Sequence, residues 1–94
     1  MKCEICIPIT AETVEGALND IKKAEKASDL VELRIDCIKN IDRGKLKKLL
    51  EAKKRKMIVA CRPKSLGGNF EGKEEDRINL LKKAVELGAD FVDI

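Results

Sequence analysis

Three charged side chains at alternate positions are the strongest functional signal in this sequence. Glu32, Arg34 and Asp36 are separated from one another by Leu33 and Ile35. Alternation of this kind is typical of a β-strand, and it places the charges on one face, about 6.6 Å apart along the strand. An antiparallel strand with one face in water has the same pattern. The charges therefore indicate a binding site only if the strand belongs to a parallel sheet with little access to water.

A fourth charge, Arg62, follows another short apolar run and is expected at the end of a neighbouring strand. Arginines on adjacent strand ends can converge on one small anion or polyol, because a guanidinium holds a carboxylate through two parallel hydrogen bonds. Glu32 would then accept hydrogen bonds from an arginine and from substrate hydroxyl groups. The alternative is that Glu32, Arg34 and Asp36 form a purely structural network in the protein core.

The elements that would position these charges follow the order β-α-β-α-β-α-β. Period-two alternation predicts strands at residues 3–9, 29–36, 57–62 and 90–94. Apolar residues at helical spacing predict three helices between the strands. The first is capped by Thr10 or Thr13, the second ends near Arg55, and the third covers 74–87 with Gly88 as its stop. The predicted inward positions of the third helix are Ile78, Leu81, Ala84 and Val85.

Two architectures fit this series of parallel units: an open sheet of Rossmann or flavodoxin type, and the first half of a (β/α)8 barrel. Helices cover both faces of an open doubly wound sheet, whereas one face of a barrel sheet is the lumen. Charged residues recur on the strand face opposite the apolar stripe, at Glu4, Glu32, Arg34, Asp36, Arg62 and Asp93. The sequence therefore predicts an α/β fold of TIM-barrel units. Because a complete barrel takes about 250 residues, residues 1–94 are expected to form one domain, its amino-terminal half.

The composition argues against several classes of function. The net charge of +3 comes from 20 basic and 17 acidic residues, and no Trp or Tyr is present to stack on bases, so nucleic-acid binding is not expected. No apolar run is long enough for a membrane span, and the amino terminus lacks a signal-peptide pattern. A cytoplasmic protein that does not bind membranes is expected.

Chemistry that needs a histidine, a metal ion or a reactive thiol is not expected in this chain. The sequence contains no His, and cysteines three apart on a strand point to opposite faces, so no metal site is predicted. The lysines fall on helix faces or in loops, as Lys39 and Lys64 do, and none is a convincing amine nucleophile. The cysteines, interpreted as reduced apolar fillers, are Cys3, Cys6, Cys37 and Cys61.

The Gly67-Gly68 pair lies in the longest loop, residues 63–72. It could form a phosphate cradle ahead of the third helix, although it lacks the spacing of a P-loop or of a GxGxxG element. A flexible lid over the strand ends is the favoured interpretation.

Glu32-Leu33-Arg34-Ile35-Asp36, with Arg62 followed by Gly67-Gly68, resembles the amino-terminal part of the type I 3-dehydroquinate dehydratases. Cys6-Ile7-Pro8-Ile9 is similar to the first strand of that family, and Phe91-Val92-Asp93-Ile94 to its fourth. The resemblance implies a (β/α)8 barrel that converts 3-dehydroquinate to 3-dehydroshikimate and water in the shikimate pathway. It implies that Glu32, Arg34 and Arg62 bind the substrate and that no metal or organic cofactor is needed. Asp36, on the same predicted strand face, is a candidate supporting residue.

The same resemblance places the catalytic groups, a Schiff-base lysine and a histidine, on later strands. The 94 residues would then hold no catalytic residue and would be inactive alone. Leu66 stands where members often have an acid, and Pro8 where many have a serine. An open strand edge is expected to drive assembly into a homo-oligomer. The alternatives are a non-catalytic small α/β module and a fragment of another sugar-phosphate-binding barrel.

Overall fold

The computed structural model describes residues 6–93 and confirms the predicted order of elements. Residues 3–5 of the predicted first strand, including Cys3 and Glu4, and Ile94 of the last lie outside the described residues. In chain order the elements are β1 (Cys6–Ile9), α1 (Val14–Ala27), β2 (Leu30–Arg34), a 3-10 turn (Ile35–Cys37), α2 (Arg43–Glu51), β3 (Lys56–Ala60), a second 3-10 turn (Lys64–Leu66), α3 (Glu74–Glu86) and β4 (Phe91–Asp93).

The four strands are parallel and follow the order β1-β2-β3-β4. Parallel crossovers are right-handed, and each crossover here advances by one strand in the same direction, so the three helices lie on one face of the sheet. In that layer α2 contacts both α1 and α3. An open doubly wound sheet instead reverses its strand order and takes helices on both faces. The structure therefore confirms the predicted parallel units of a (β/α)8 barrel.

The two faces of the sheet differ sharply in burial. The face toward the helices carries four completely buried side chains, Val31, Leu33, Met57 and Val59. On the opposite face, Glu32 and Arg34 are half-buried and Phe91 is 54% exposed. Within residues 6–93 no second layer covers that face. It corresponds to the lumen side of a barrel, where the sequence predicts the charged residues.

Hydrogen bonds from side chains mark the start of α1 and the end of α2. The Oγ1 atom of Thr13 accepts the N–H of Gly16 at 3.0 Å, which decides between the two predicted caps of α1. Helix α2 stops short of Arg55 because Glu25 of α1 accepts the N–H groups of Lys54 and Arg55 at 2.6 and 2.8 Å. No helix among the described residues is long and apolar enough to cross a membrane.

The inward face of α3 departs from the prediction at three positions. Leu81 and Ala84 are buried as predicted, but Val85 is 53% exposed and Ile78 is only half-buried, outside the core cluster. Arg77 occupies the inward row instead and is only 5% exposed. Gly88 follows the helix with φ +106°, which confirms it as the stop, since a glycine adopts that conformation without strain.

Candidate functional site

Asp36 is the most deeply buried charged group at the carboxyl end of β2. The prediction that it continues the charged face of the strand is wrong, because β2 ends at Arg34 and the chain turns through residues 35–37. That turn brings the carboxylate back toward the preceding guanidinium. Arg34 Nε donates to Asp36 Oδ1 at 3.0 Å and Nη2 donates to Oδ2 at 2.7 Å. The exposed fraction of the side chain is 17% for Arg34 and 0% for Asp36.

A backbone group from another segment completes the surroundings of the Asp36 carboxylate. The N–H of Asn69, in the loop after β3, donates to Oδ2 at 3.0 Å. Burial by itself raises the pKa of Asp36, but the hydrogen bonds and the positive charge of Arg34 outweigh it, so the net pKa is lowered. The hydrogen bond with Asp36 raises the pKa of Arg34. Both groups are therefore ionised at neutral pH.

The predicted substrate-binding residues divide into one paired side chain and two unpaired ones. Arg34 uses two of its N–H groups on Asp36, which leaves the other edge of its guanidinium without a hydrogen bond to the described residues. Glu32, half-buried between Pro8 and Ile58, and the exposed Arg62 make no side-chain hydrogen bond or ion pair within residues 6–93. The structural network predicted as an alternative thus includes Arg34 and Asp36 but leaves Glu32 and Arg62 available.

The loop that follows Arg62 folds back onto the backbone of that residue. Phe70 N–H donates to Arg62 O at 3.0 Å, and Gly68 N–H donates to Pro63 O at 3.0 Å. Gly67 has φ +84°, and a Cβ atom at position 68 would lie 2.1 Å from Arg62 O. The glycine pair is needed for this tight turn. Because the N–H groups of Gly67 and Gly68 donate to protein carbonyls, the phosphate-cradle interpretation is wrong. The flexible lid stays a prediction.

Arg77 supports the same strand end and is a residue that sequence analysis missed. Its Nη1 donates to Cys61 O at 2.9 Å, one residue before Arg62. Its Nε and Nη2 donate to the two carboxylate oxygens of Glu74 at 2.5 and 2.7 Å. These hydrogen bonds raise the pKa of Arg77 and lower that of Glu74. The available signal was an acid three residues before a cation in the inward row of the third helix.

A groove of about 660 Å³ opens beside these residues, and none of the predicted substrate-binding residues lines it. Its walls are Thr10, Glu12, residues 36–41, Lys64 and residues 69–71. The charges around it are already paired: Lys39 with Glu12 at 3.6 Å, and Lys64 with Glu71. The uncovered sheet face, where Glu32 makes no side-chain hydrogen bond or ion pair with the described residues, is therefore the better candidate for the binding of a polar ligand.

The cysteines agree only in part with their interpretation as apolar fillers. Cys61 is buried, and its burial raises the pKa of the thiol to about 12. Cys37 is half-buried, and burial raises its pKa as well. Both are protonated at neutral pH, so neither is an active nucleophile. Cys6 is exposed on the uncovered face of β1, so the filler interpretation is wrong for it.

Fold and site together define a class of protein: an α/β protein of parallel barrel units that carries a charged site at the carboxyl ends of its strands. The sequence model of the type I 3-dehydroquinase family matches residues 5–94. The chain therefore belongs to the type I 3-dehydroquinase family, which confirms the resemblance seen in the sequence.

Individual relatives agree with this membership. A 3-dehydroquinate dehydratase of Methanocaldococcus jannaschii is 38% identical over 90 residues, covering 96% of this chain and 40% of that protein. The bifunctional 3-dehydroquinate dehydratase/shikimate dehydrogenase of Arabidopsis thaliana is 36% identical over 92 residues, covering 96% of this chain and 15% of that protein. The crystal structure of a type I 3-dehydroquinate dehydratase from Clostridium difficile matches with a TM-score of 0.87 at 20% identity, over 97% of this chain and 39% of that one. The chain thus spans at most about 40% of the length of these relatives.

The tight turn gives a first prediction. Gly68→Ala should destabilise the protein by about 1–3 kcal/mol, because the added Cβ would overlap the carbonyl of Arg62 and force the loop to move. Gly44→Ala is the matched control, since position 44 lies in α2 and a Cβ there meets only Asp42 Oδ1, at 3.4 Å. Urea unfolding of both variants measures the effect. Equal stability of the two variants would contradict the close approach of position 68 to the carbonyl of Arg62.

The ionised Asp36 gives a second prediction. Asp36→Asn should cost roughly 3 kcal/mol at neutral pH, the lower end of the range for breaking a buried ion pair, because Arg34 keeps some contact with water. A lowered folded-state pKa contributes stability that is present above the unfolded pKa of about 3.9 and is lost as the pH falls through the folded value. The difference between wild type and variant should therefore shrink below about pH 4. Urea unfolding across pH measures it, and a constant difference would show that Asp36 is not the titrating group.

Proposed function

We infer that these residues belong to a 3-dehydroquinate dehydratase, which removes water from 3-dehydroquinate to give 3-dehydroshikimate in the shikimate pathway. Membership of the type I 3-dehydroquinase family is the observation that carries this proposal. Relatives from an archaeon and a plant bear the name of that activity. The charges at the strand ends support it, because the substrate is a hydroxylated carboxylate.

In this proposal residues 1–94 contribute substrate binding and leave the bond-breaking steps to the rest of the protein. Arg62 binds the substrate carboxylate with its unpaired guanidinium. Glu32 accepts hydrogen bonds from substrate hydroxyl groups, and Arg34 donates through the edge that Asp36 leaves open. The geometry favours this division, since Glu32 and Arg62 make no side-chain hydrogen bond or ion pair with the described residues, whereas the Asp36 side chain is fully enclosed.

The catalytic lysine is proposed to lie outside residues 1–94. It forms a Schiff base with the substrate ketone, and the resulting iminium withdraws electrons so that the adjacent proton is easier to remove. A histidine then moves protons, and the sequence of this chain has none. No lysine in the described part of the chain is buried, so none has the desolvated surroundings of an amine nucleophile. The protein is further proposed to be a cytoplasmic homo-oligomer that needs no metal or organic cofactor.

The test of this function is reductive trapping in the full-length protein. Incubation with 3-dehydroquinate and borohydride should attach the substrate irreversibly to a lysine that lies beyond position 94, and the unreduced enzyme should form 3-dehydroshikimate. Peptide mapping by mass spectrometry locates the adduct, with borohydride alone as the control. A substrate-dependent adduct on Lys39 or Lys64 would overturn the assignment of this chain to substrate binding alone.

Substitution of Arg62 tests the binding role directly. Arg62→Ala should lower kcat/KM about ten- to a hundred-fold, because a charge-assisted hydrogen bond is worth roughly 1.5–3 kcal/mol. Arg62→Lys should recover only part of the loss, since an ammonium group cannot make the planar two-point contact. Arg43→Ala, an exposed arginine in the first turn of α2, is the matched control.

Thermal melting of the same variants separates binding from folding. The Tm of Arg62→Ala should stay close to that of wild type, because the side chain is exposed and has no partner within residues 6–93. An early melt with unchanged kcat/KM would make Arg62 a structural residue and remove it from the site.

A further inference from the structure

Three hydrogen-bond donors from two separate segments meet on the Asp36 carboxylate. Two come from the Arg34 side chain, at 3.0 and 2.7 Å, and the third is the backbone N–H of Asn69, at 3.0 Å. The carboxylate is completely enclosed, and no buried side-chain polar atom among the described residues lacks a partner. Asp36 therefore joins the end of β2 to the loop that follows β3.

This arrangement orients Arg34. A guanidinium is planar, so a carboxylate that holds Nε and Nη2 also sets the direction of the opposite edge, formed by Nη1 and the second N–H of Nη2. Arg34 is two residues after Glu32 on the uncovered face of the sheet. The open edge of the guanidinium is thus held in one direction before any ligand arrives, which reduces the entropy lost on binding.

The same carboxylate holds the loop that follows Arg62. Asp36 accepts from Asn69 N–H, and the next residue, Phe70, donates its N–H to Arg62 O at 3.0 Å. The end of the turn around Gly67-Gly68 is therefore tied to Asp36 directly, and the backbone of Arg62 is tied to it through Phe70. One buried group is thus linked to both arginines, directly to Arg34 and through the loop to Arg62.

We propose that Asp36 is the positioning residue of the substrate-binding site, holding Arg34 directly and the Arg62 backbone through the loop after β3, without touching the substrate. The proposal rests on the proposed function, because it concerns how the same site binds 3-dehydroquinate. It differs from a purely structural ion pair in its consequence: substrate recognition depends on Asp36 through Arg34, beyond any change in stability.

Kinetics of full-length variants test the proposal. Asp36→Asn should lower kcat/KM about thirty-fold, mostly through a higher KM, because the amide NH2 group faces donors and can no longer hold both guanidinium nitrogens. Asp42→Asn is the matched acid-to-amide control, since Asp42 caps α2 in an exposed position that asparagine also fills. An Asp36→Asn protein that folds and keeps the wild-type KM overturns the proposal.

A double-mutant cycle shows whether Asp36 acts through Arg34. Asp36→Asn should lower kcat/KM by a fold-change at least about three times smaller in an Arg34→Ala background than in the wild-type background. In the Arg34→Ala background, only the part of the loss that depends on the loop after Arg62 remains. An equal factor in both backgrounds would mean that the substitution damages the protein in general, and the positioning role would then be wrong.

A measurement on the unmodified protein keeps the proposal testable if Asp36→Asn fails to fold. In nuclear magnetic resonance hydrogen exchange without ligand, the Arg34 Nε–H and the Asn69 amide should exchange at least tenfold more slowly than the Arg62 Nε–H. Exchange of Arg34 Nε–H at the rate of an exposed arginine would overturn the proposal. A wild-type protein without dehydratase activity would overturn the proposed function instead, and the exchange rates would still decide whether Asp36 holds its donors.

Discussion

The carboxyl end of this sheet depends on keeping one charge ionised where water cannot reach it. An isolated buried carboxylate is costly by several kcal/mol, and it persists only when donors replace its hydration. Asp36 meets that condition with the two guanidinium N–H groups of Arg34 and the backbone N–H of Asn69 in the next β-α connection. The hydrogen bonds that stabilise the buried charge also constrain the geometry, because their donors must converge on the two carboxylate oxygen atoms. Two loops that share no helix or strand are joined at this point.

The sheet supplies the frame within which that constraint acts. Because the strands follow one another in sequence order, all helices lie on one side of the sheet. The apolar strand side chains on that side therefore pack with the helices into a single core. The remaining face is free to carry polar groups, and Glu32 and Arg34 occupy it beside the uncharged neighbours Pro8, Ile58 and Ala60. Arg77 anchors the end of β3 from the helix side, through the carbonyl of Cys61. The backbone at Arg62 is thus held by two hydrogen bonds, from Arg77 to the preceding carbonyl and from Phe70 N–H to its own.

Periodicity in the sequence was sufficient for the order of elements, the parallel units and the charged strand. Glu32 and Arg34 could be placed on one face from their spacing alone, since the side-chain period of a strand is two. Gly88 could also be predicted as the stop of α3 from its residue type, because few other residues adopt φ near +106°. These features are local: each depends on backbone geometry within a few residues. The resemblance to type I dehydroquinases added the proposed substrate-binding roles, which periodicity cannot supply.

Tertiary contacts decided the rest. Asp36 continued the alternation in sequence, yet the chain leaves the strand at Arg34, because an ion pair and the amide of Asn69 stabilise the turn. Arg77 was not identified from the sequence, yet it is buried, since Glu74 and the carbonyl of Cys61 satisfy its hydrogen bonds. Gly68 is required by the backbone of Arg62, which lies against it. The sequence by itself determined which elements form and which face of the sheet is polar. Only the folded chain decided which charges are paired and which remain available, because the partners come from segments that are distant in sequence.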